Sequence, residues 1–241
     1  MKRFCVLIVL LLMVTAAYAD DSSYKQDLIK RFPFYNVATE VFSPVYPALA
    51  QQLVQDYKIT NGICVDVGGA EGSLAMSIAK ITSATVYVVD ISPDAVRLCN
   101  LLVDEAQLSG RVRAIEGDAM NLPLRDGFAD FVVSRNSLFE WPDMLAGMKE
   151  AYRILKPGGS AYMGGGFSRL LSPEDTARLV EWCIKKRNQK PDSYVKMPDN
   201  LVPKLKKAGI NAKLIKGPTE FDWWLEMKKP TSVKVNSTKL S

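Results

Sequence analysis

The feature that most constrains the fold of this chain is an apolar run that contains an acid and continues into a glycine-rich turn. The run from Gly62 to Val67 includes Asp66, and residues 68–72 read Gly-Gly-Ala-Glu-Gly. A helical pattern begins near Ser73. This order brings bare main chain against a nucleoside-bearing ligand at the carboxyl end of a parallel strand. A tight strand-to-helix turn without a ligand is the alternative interpretation.

The spacing of the glycines narrows the class of ligand. A dinucleotide-binding fingerprint, Gly-x-Gly-x-x-Gly, counted from Gly68 needs its last glycine where this chain has Ser73. The turn instead reads Asp-x-Gly-x-Ala-x-Gly, from Asp66 to Gly72. This spacing disfavours a nicotinamide-dependent oxidoreductase, a second class that uses a related sheet.

Strand-like and helical stretches alternate along the rest of the chain, which favours a parallel, doubly wound sheet. Further strands are predicted at Thr85–Asp90, at the start of Val112–Met120 and at Ala129–Ser134, and a helix at Met144–Leu155. The helix is expected to stop at Lys156-Pro157-Gly158-Gly159, after which the chain re-enters the sheet.

These motifs resemble those of the class I S-adenosylmethionine-dependent methyltransferases, whose first motif is usually Asp/Glu-x-Gly-x-Gly-x-Gly. The phrase Arg-Ile-Leu-Lys-Pro-Gly-Gly at residues 153–159 is among the more specific family signatures. The resemblance is strong from Gly62 to Phe167. Ala70 replaces the middle glycine and adds a methyl group where backbone and ligand approach, which we interpret as tolerated. A weakly binding or non-catalytic pocket is the alternative.

The resemblance implies S-adenosylmethionine as the cofactor and no metal. In this family an acid at the position of Asp90 accepts hydrogen bonds from both ribose hydroxyls, and an acid at the position of Asp118 receives the adenine amino group. The implied cofactor-binding residues are Asp66, Gly68, Gly69, Ala70, Gly72, Asp90, Ile91, Asp118, Ala119, Met120 and Ser134.

The predicted fold is an α/β class I methyltransferase domain over residues 58–229. Its sheet is expected to be seven-stranded, doubly wound, Rossmann-like and mostly parallel, with an antiparallel C-terminal hairpin. The hairpin corresponds to Asn211–Lys216 and Asp222–Lys228, and Trp223-Trp224 is expected to lie in the core or an interface. Residues 230–241 are polar and Lys-rich, which predicts a flexible tail.

The amino end has the pattern of a cleavable secretory signal peptide. Residues 1–19 hold a basic start at Lys2-Arg3, an apolar run from Phe4 to Val14 and a small-x-small site before Asp20. The run is shorter than the roughly 20 residues that span a bilayer. We expect export to a periplasmic or secreted location without stable membrane insertion after cleavage, or a cytoplasmic location if the signal is unused.

A predicted helical lid precedes the domain at residues 20–57. Its pattern is interrupted at residues 32–35 and 42–47, where aromatic side chains cluster. The family often uses such a segment as a lid across the cofactor. The aromatic residues form either an apolar roof for the methyl donor or an ordinary hydrophobic cap over the sheet; they are Phe34, Tyr35, Phe42 and Tyr46.

The charge of the chain argues against a nucleic-acid partner. The 31 Lys and Arg exceed the 26 Asp and Glu by +5, and loss of Lys2 and Arg3 with the signal peptide leaves +3. This excess is too small to indicate nucleic-acid binding. Three cysteines follow the predicted signal peptide without a Cys-x-x-Cys pair, so buried free thiols are expected at Cys64, Cys99 and Cys183, with a pair that meets in space as the alternative.

The chain contains no histidine, which removes the commonest general base and most zinc sites. Methyl transfer tolerates this loss because alignment and exclusion of water do most of the work. The substrate-side candidates are Tyr46, Arg135, Glu140 and Glu71. Each has a structural alternative: Arg135 and Glu140 pair with each other, Tyr46 packs, and Glu71 faces solvent.

The sequence therefore predicts methyl transfer from S-adenosylmethionine to a small-molecule acceptor. The alternative function is that of an exported, catalytically silent relative that binds or assembles with a protein partner.

Overall fold

The computed structural model describes residues 23–32, 34–189 and 197–231. The predicted signal peptide, residues 1–19, and residues 232–241 of the predicted tail lie outside the described residues. Within the described ranges, no helix has the length and apolar character that crossing a membrane requires.

Seven strands form one mixed sheet in the order β3-β2-β1-β4-β5-β7-β6. The strands are β1 Ile63–Val67, β2 Thr85–Asp90, β3 Val112–Glu116, β4 Ala129–Arg135, β5 Leu155–Gly165, β6 Ala212–Lys216 and β7 Trp223–Lys228. The first five are parallel, and β7 lies antiparallel between β5 and β6. The predicted fold class, including the antiparallel C-terminal hairpin, is confirmed.

Helices connect and cover these strands. They are α1 (23–31), α2 Phe34–Asn36, α3 Val45–Tyr57, α4 Ser73–Ile81, α5 Pro93–Glu105, α6 Met144–Ile154, α7 Pro173–Gln189 and α8 Leu201–Lys207. A π-helix, Val37–Val41, continues α2, and a 3-10 turn, Leu138–Glu140, follows β4. Side-chain caps help to fix helix starts such as those of α5 and α6: Ser92 accepts from the Ala95 N–H before α5, and Asp143 accepts from the Ala146 N–H before α6.

One predicted boundary was wrong. We expected Lys156–Gly159 to form a turn between helix and strand, but β5 begins at Leu155 and includes these residues. Gly158 has a φ of +84°, which glycine adopts without strain, and the pairing of β4 with β5 shifts register between Ala129 and Phe131. The irregularity lets the strand pass through a glycine-proline segment.

Side chains alternate between the two faces of the sheet, and each face has its own core. On one face, Cys64, Val88 and Val133 pack under α3, α4 and α5. On the other face, Val65 and Val132 pack under α6 and α8. Trp224 and Trp223 are buried in these two cores respectively, as predicted for core residues. Asp66 shares the face of Cys64, because it lies two residues further along β1.

The neighbouring strands β1 and β4 mark the point where the strand order reverses. Connections from β1 lead toward β2 and β3, whereas β4 leads toward β5. In open parallel sheets such a reversal leaves a crevice at the carboxyl ends of the two strands, where ligands bind. The loops after β1, β2, β3 and β4 surround this crevice.

Candidate cofactor and acceptor site

The turn after β1 adopts left-handed backbone at three positions. Gly68 has a φ of +67°, Ala70 of +52° and Gly72 of +83°, and α4 begins at Ser73. Glycine occupies this region freely, whereas a residue with a side chain is strained there by about 1–2 kcal/mol. Ala70 therefore stands where the backbone conformation itself prefers glycine.

The glycines of this turn also permit close packing within the protein. A Cβ atom on Gly68 would lie 2.3 Å from the Cβ of Ser137, and one on Gly72 would lie 2.5 Å from the Sγ of Cys99. A Cβ on Gly69 would lie 2.8 Å from the carboxyl carbon of Asp66. The sequence interpretation linked the glycines to ligand approach or to a tight turn, and the structure adds that they allow close contact with neighbouring residues.

Asp90, the last residue of β2, holds the turn after β1. Its Oδ2 accepts a hydrogen bond from the Ala70 N–H at 2.9 Å, and its Oδ1 accepts from the Ser92 N–H at 2.9 Å. Each carboxylate oxygen keeps further capacity to accept. The next residue, Ile91, is 69% exposed. The end of β2 thus presents paired acceptors beside an uncovered apolar side chain.

Asp118 orders the loop after β3 in a similar manner. Its Oδ1 accepts from the Met120 N–H at 2.8 Å, and its main-chain oxygen accepts from the Asn121 N–H at 3.0 Å. Asp118, Ala119 and Met120 are all half-buried. One carboxylate oxygen of Asp118 remains available to a ligand at this edge.

Asp66 is a buried acid with an unsatisfied oxygen. It is 2% exposed, and its Oδ2 has no hydrogen-bond partner among the described residues. Burial, with further contributions from the negative charges of Glu71 and Asp90, raises its pKa to about 7, while Arg135 opposes the shift. A buried, unpartnered carboxylate beneath a glycine turn is well placed to receive a cationic group.

Glu71 also lies inside the protein, contrary to the alternative in which it faces solvent. The residue is 3% exposed, and one carboxylate oxygen accepts from the Ser73 hydroxyl at 2.6 Å. Burial raises its pKa above the ordinary value, partly offset by the Ser73 hydrogen bond. Glu71 therefore adds a second buried acid to the crevice.

Ser134 is fully buried near the end of β4. Its Oγ lies 2.5 Å from that of Ser137, whose hydroxyl lies 3.0 Å from the main-chain oxygen of Val67 and donates to it. Ser137, which also fills the space above Gly68, is a site residue that the sequence interpretation missed. No spacing signal identifies it, because the contact depends on how the loop after β4 folds over β1.

Arg135, the last residue of β4, lies over two aromatic rings of the N-terminal segment. Its Cζ is 5.0 Å from the ring centre of Phe42 and 5.2 Å from that of Tyr46. Its Nε donates to the main-chain oxygen of Gly166 at 3.2 Å. Its Nη2 is buried and has no hydrogen-bond partner within the described part of the chain. The guanidinium is thus fixed in place with one donor group unused.

The other two predicted substrate-side residues, Tyr46 and Glu140, differ in their exposure to solvent. Tyr46 packs against the core and faces Arg135, and burial raises its pKa to about 12. Glu140 is exposed in the 3-10 turn, and the ion pairs of the described residues do not join it to Arg135. The structural alternative in which these two residues pair is therefore wrong.

The aromatic residues that the sequence grouped together also differ in their exposure to solvent. Phe42 meets the ring of Trp182 edge-on at 5.2 Å and stacks on Phe167 at 6.3 Å. Phe34 is 64% exposed. Arg31 at the end of α1 pairs with Asp94 in α5 at 3.2 Å. The N-terminal segment therefore contacts α5 on one side and Arg135 on the other.

The cysteines of the described residues are free thiols. Cys64 and Cys99 are buried, Cys183 is half-buried, and no disulfide joins them. Burial raises the pKa values of Cys64 and Cys99 to about 12 and that of Cys183 to about 11. These thiols are protonated at neutral pH. The described ranges also hold no cluster of His, Cys, Asp and Glu with the arrangement of a metal site.

Known proteins are similar to this chain in both sequence and structure. Residues 65–163 match the family model for a methyltransferase domain. The structure is similar to that of a Methanococcus maripaludis protein assigned as an S-adenosyl-L-methionine-dependent methyltransferase. The TM-score is 0.74, with 28% identity over 88% of this chain and 95% of the other. Residues 65–163 thus match a methyltransferase domain, and the chain shares its fold with the Methanococcus maripaludis protein.

Sequence relatives match the same region. The 2-methyl-6-phytyl-1,4-hydroquinone methyltransferase of spinach chloroplasts (Spinacia oleracea) is 38% identical over 111 residues, which are 46% of this chain and 31% of the relative. The demethylmenaquinone methyltransferase of Geobacillus sp. (strain WCH70) is 36% identical over 106 residues, 44% of each chain. The chain thus spans less than half of the length of either relative.

The cofactor of this domain class is S-adenosylmethionine, and the residues in the crevice fit it. The unpartnered Oδ2 of Asp66 suits an ammonium group, and the free acceptor capacity of Asp90 suits ribose hydroxyls. The exposed side chain of Ile91 suits one face of the adenine ring. These are the positions that the sequence resemblance implied.

Replacing Asp90 with alanine is expected to weaken cofactor binding by roughly 1–3 kcal/mol, because two ribose hydroxyls and the Ala70 N–H lose their acceptor. Asp118→Ala is expected to cost a comparable or smaller amount through the adenine contact. Calorimetry with S-adenosylhomocysteine measures both losses. Glu116→Ala, which removes an exposed acid at the end of β3, serves as the control. Unchanged affinity in a folded Asp90→Ala variant would remove this carboxylate from the site.

Proposed function

We propose that this protein transfers a methyl group from S-adenosylmethionine to a small-molecule acceptor with a hydroquinone-type ring. The observation that carries the proposal is the unpartnered carboxylate of Asp66 beneath the turn of a matched methyltransferase domain. The ring class is suggested by the relatives, two of which are named for the methylation of a hydroquinone and of demethylmenaquinone.

The residues of the chain would bind and orient the reactants. When bound, S-adenosylmethionine supplies a methyl group on a sulfonium, whose carbon–sulfur bond breaks with its electron pair left on sulfur. Asp66 would hold the ammonium group, Asp90 the ribose hydroxyls and Asp118 the adenine amino group. Phe42 and Tyr46, whose rings lie under the Arg135 guanidinium, would contribute apolar surface that excludes water and keeps the acceptor aligned.

Proton removal from the acceptor has to proceed without an imidazole, because the chain lacks histidine. Tyr46, with a pKa raised to about 12, is neutral at physiological pH and is a poor base. An acceptor that ionises readily in water removes the need for a strong base. A phenolic or enolic hydroxyl therefore suits this pocket better than an aliphatic alcohol.

Methyl transfer itself is tested by incubating the protein with methyl-labelled S-adenosylmethionine and 2-methyl-1,4-hydroquinone under reducing conditions. The expected result is a singly methylated product and an equivalent amount of S-adenosylhomocysteine. The dimethyl ether of the same hydroquinone, which has no ionisable oxygen, is the matched control substrate. Tight cofactor binding with no transfer to the hydroquinone would contradict the proposal and would support the silent, partner-binding alternative.

We further propose that the chain is exported and cleaved before Asp20. The support is the basic start, apolar run and small-x-small site of residues 1–19. Intact-mass analysis of the protein from its native host is expected to find Asp20 at the amino terminus. A full-length chain in the cytosolic fraction would contradict export. Cleavage with tight cofactor binding would mean that the cofactor is loaded before export or is obtained outside.

A further inference from the structure

The feature that the proposed chemistry leaves unused is the free donor of Arg135. Nη2 is buried without a partner, while Nε is fixed on Gly166 and two aromatic rings hold the guanidinium plane. An arginine remains charged at every physiological pH. A buried N–H donor of a cation costs free energy when it has no acceptor, and an oxygen atom of a ligand would remove that cost. The arrangement is thus a positioned receptor for an oxygen atom.

The location of Arg135 separates it from the ammonium end of the cofactor site. Asp66 pairs in register with Val133, and Arg135 lies two residues further along β4 on the same face. A rise of about 3.3 Å per residue and a strand spacing of about 4.8 Å put the Cα atoms of Asp66 and Arg135 roughly 8 Å apart. The two groups thus lie on neighbouring strands at the same edge of the sheet, an acid on β1 and a cation on β4.

We propose that Arg135 forms an anion subsite for the methyl acceptor and binds it through an ionised oxygen of a phenol or an enol. This inference rests on the proposed function and adds that the acceptor binds in its ionised state. The hydroxyl proton of the acceptor passes to water, and the negative charge left on oxygen is balanced by the guanidinium. Arg135 thereby supplies, by electrostatic stabilisation, part of what an imidazole base supplies elsewhere.

The charged and titratable groups that face Arg135 come from several elements. They are Tyr46 in α3, Asp66 in β1, Glu71 in the turn after β1, Cys183 in α7 and Asp222 before β7. Asp222 accepts from the Thr219 N–H at 2.6 Å and from the Phe167 N–H, so its charge is shared with main-chain donors. Burial raises the pKa values of Asp66 and Glu71, and in the cofactor-bound protein the charge of Asp66 would be balanced by the ammonium group. An incoming anion would then meet less opposing charge from Asp66.

The test uses 4-nitrophenol as a probe, because its absorbance reports its ionisation directly. With the wild-type protein saturated with S-adenosylhomocysteine, we expect 4-nitrophenol to bind and its pKa to fall. Arg135→Gln is expected to weaken this binding about tenfold or more and to abolish the pKa shift. Arg135→Lys, which keeps the charge but not the planar fork, is expected to restore part of both effects. 4-Nitroanisole, which cannot ionise, should respond to neither substitution.

Two controls make the result decisive. Arg113→Gln removes an exposed arginine from β3 and is expected to leave probe binding and the pKa shift unchanged. The affinity of Arg135→Gln for S-adenosylhomocysteine reports both folding and cofactor contacts, and we expect it to match the wild type. A parallel loss of cofactor affinity would assign Arg135 to the cofactor's carboxylate and would overturn the proposal. Absence of probe binding, or binding without a pKa shift, would also overturn the proposal of an anion subsite. Failure of the wild type to bind S-adenosylhomocysteine would instead refute the proposed function.

Discussion

Replacing Ala70 with valine is expected to abolish measurable binding of S-adenosylmethionine while the domain stays folded. Ala70 has a φ of +52°, a conformation that a β-branched residue rarely adopts. Its N–H also donates to Asp90, so displacement of this residue disturbs the carboxylate that suits the ribose. The added methyl groups project from the turn at the point where the amino-acid part of the cofactor is expected to lie. Calorimetry measures the loss, and thermal unfolding confirms that the fold is kept.

Ala70→Gly is the matched control for this substitution. Glycine takes the left-handed conformation without strain, so the variant is expected to keep or improve cofactor affinity, by up to about 1 kcal/mol. The opposite signs of the two substitutions distinguish a steric effect at the turn from general destabilisation. Retained binding by the valine variant would show that the turn after β1 does not hold the cofactor.

The affinity for S-adenosylhomocysteine is expected to rise with pH up to about 7, in a manner that depends on Asp66. Burial raises the pKa of this acid to about 7 in the free protein, whereas an ammonium group favours its ionised form. Below that pH, binding must first remove a proton from Asp66. Affinity should therefore fall by close to tenfold for each pH unit below about 7.

Asp66→Asn is expected to remove this pH dependence and to weaken binding at about pH 8 by about a hundredfold or more, because a buried ion pair is lost. The same raised pKa has a consequence for stability. The contribution of Asp66 to the stability of the free wild type is fully present below the ordinary carboxyl pKa and is lost as pH rises through about 7, whereas the asparagine variant should lack this contribution. Calorimetry across pH and in buffers of different ionisation enthalpy measures both affinity and proton release. A pH-independent wild type would contradict the role assigned to Asp66.

The parts of the fold that the sequence predicted are those governed by local pattern. The strand β2 has the predicted bounds Thr85–Asp90, since its β-branched run is bounded by loop residues. The start of α4 at Ser73, directly after the left-handed Gly72, was also predicted. The positions of Asp66 and Asp90 at neighbouring strand ends then follow from the parallel sheet. The segment Lys156–Gly159 was mispredicted, because main-chain hydrogen bonds hold it within β5: the Gly158 N–H donates to the Lys229 carbonyl, and the Gly159 carbonyl accepts from the Lys229 N–H.

Contacts between distant segments could not be predicted from the sequence. Nothing in the pattern indicated that Ser137 would cover Gly68, or that Phe42 would stack beside Arg135. The burial of Glu71 was equally unreadable, since an acid in a glycine turn more often faces water. Each of these features depends on how the N-terminal segment and the loop after β4 close over the sheet. The sequence named Tyr46 and Arg135 as substrate-side candidates, but only the structure shows that the guanidinium lies over the tyrosine ring.

The central claim is tested most directly by calorimetric titration of the wild-type protein with S-adenosylmethionine, S-adenosylhomocysteine and NAD under the same conditions. The account predicts that the first two ligands bind with one site per chain and that NAD does not bind. Binding of NAD, or the absence of binding by all three ligands, would contradict it.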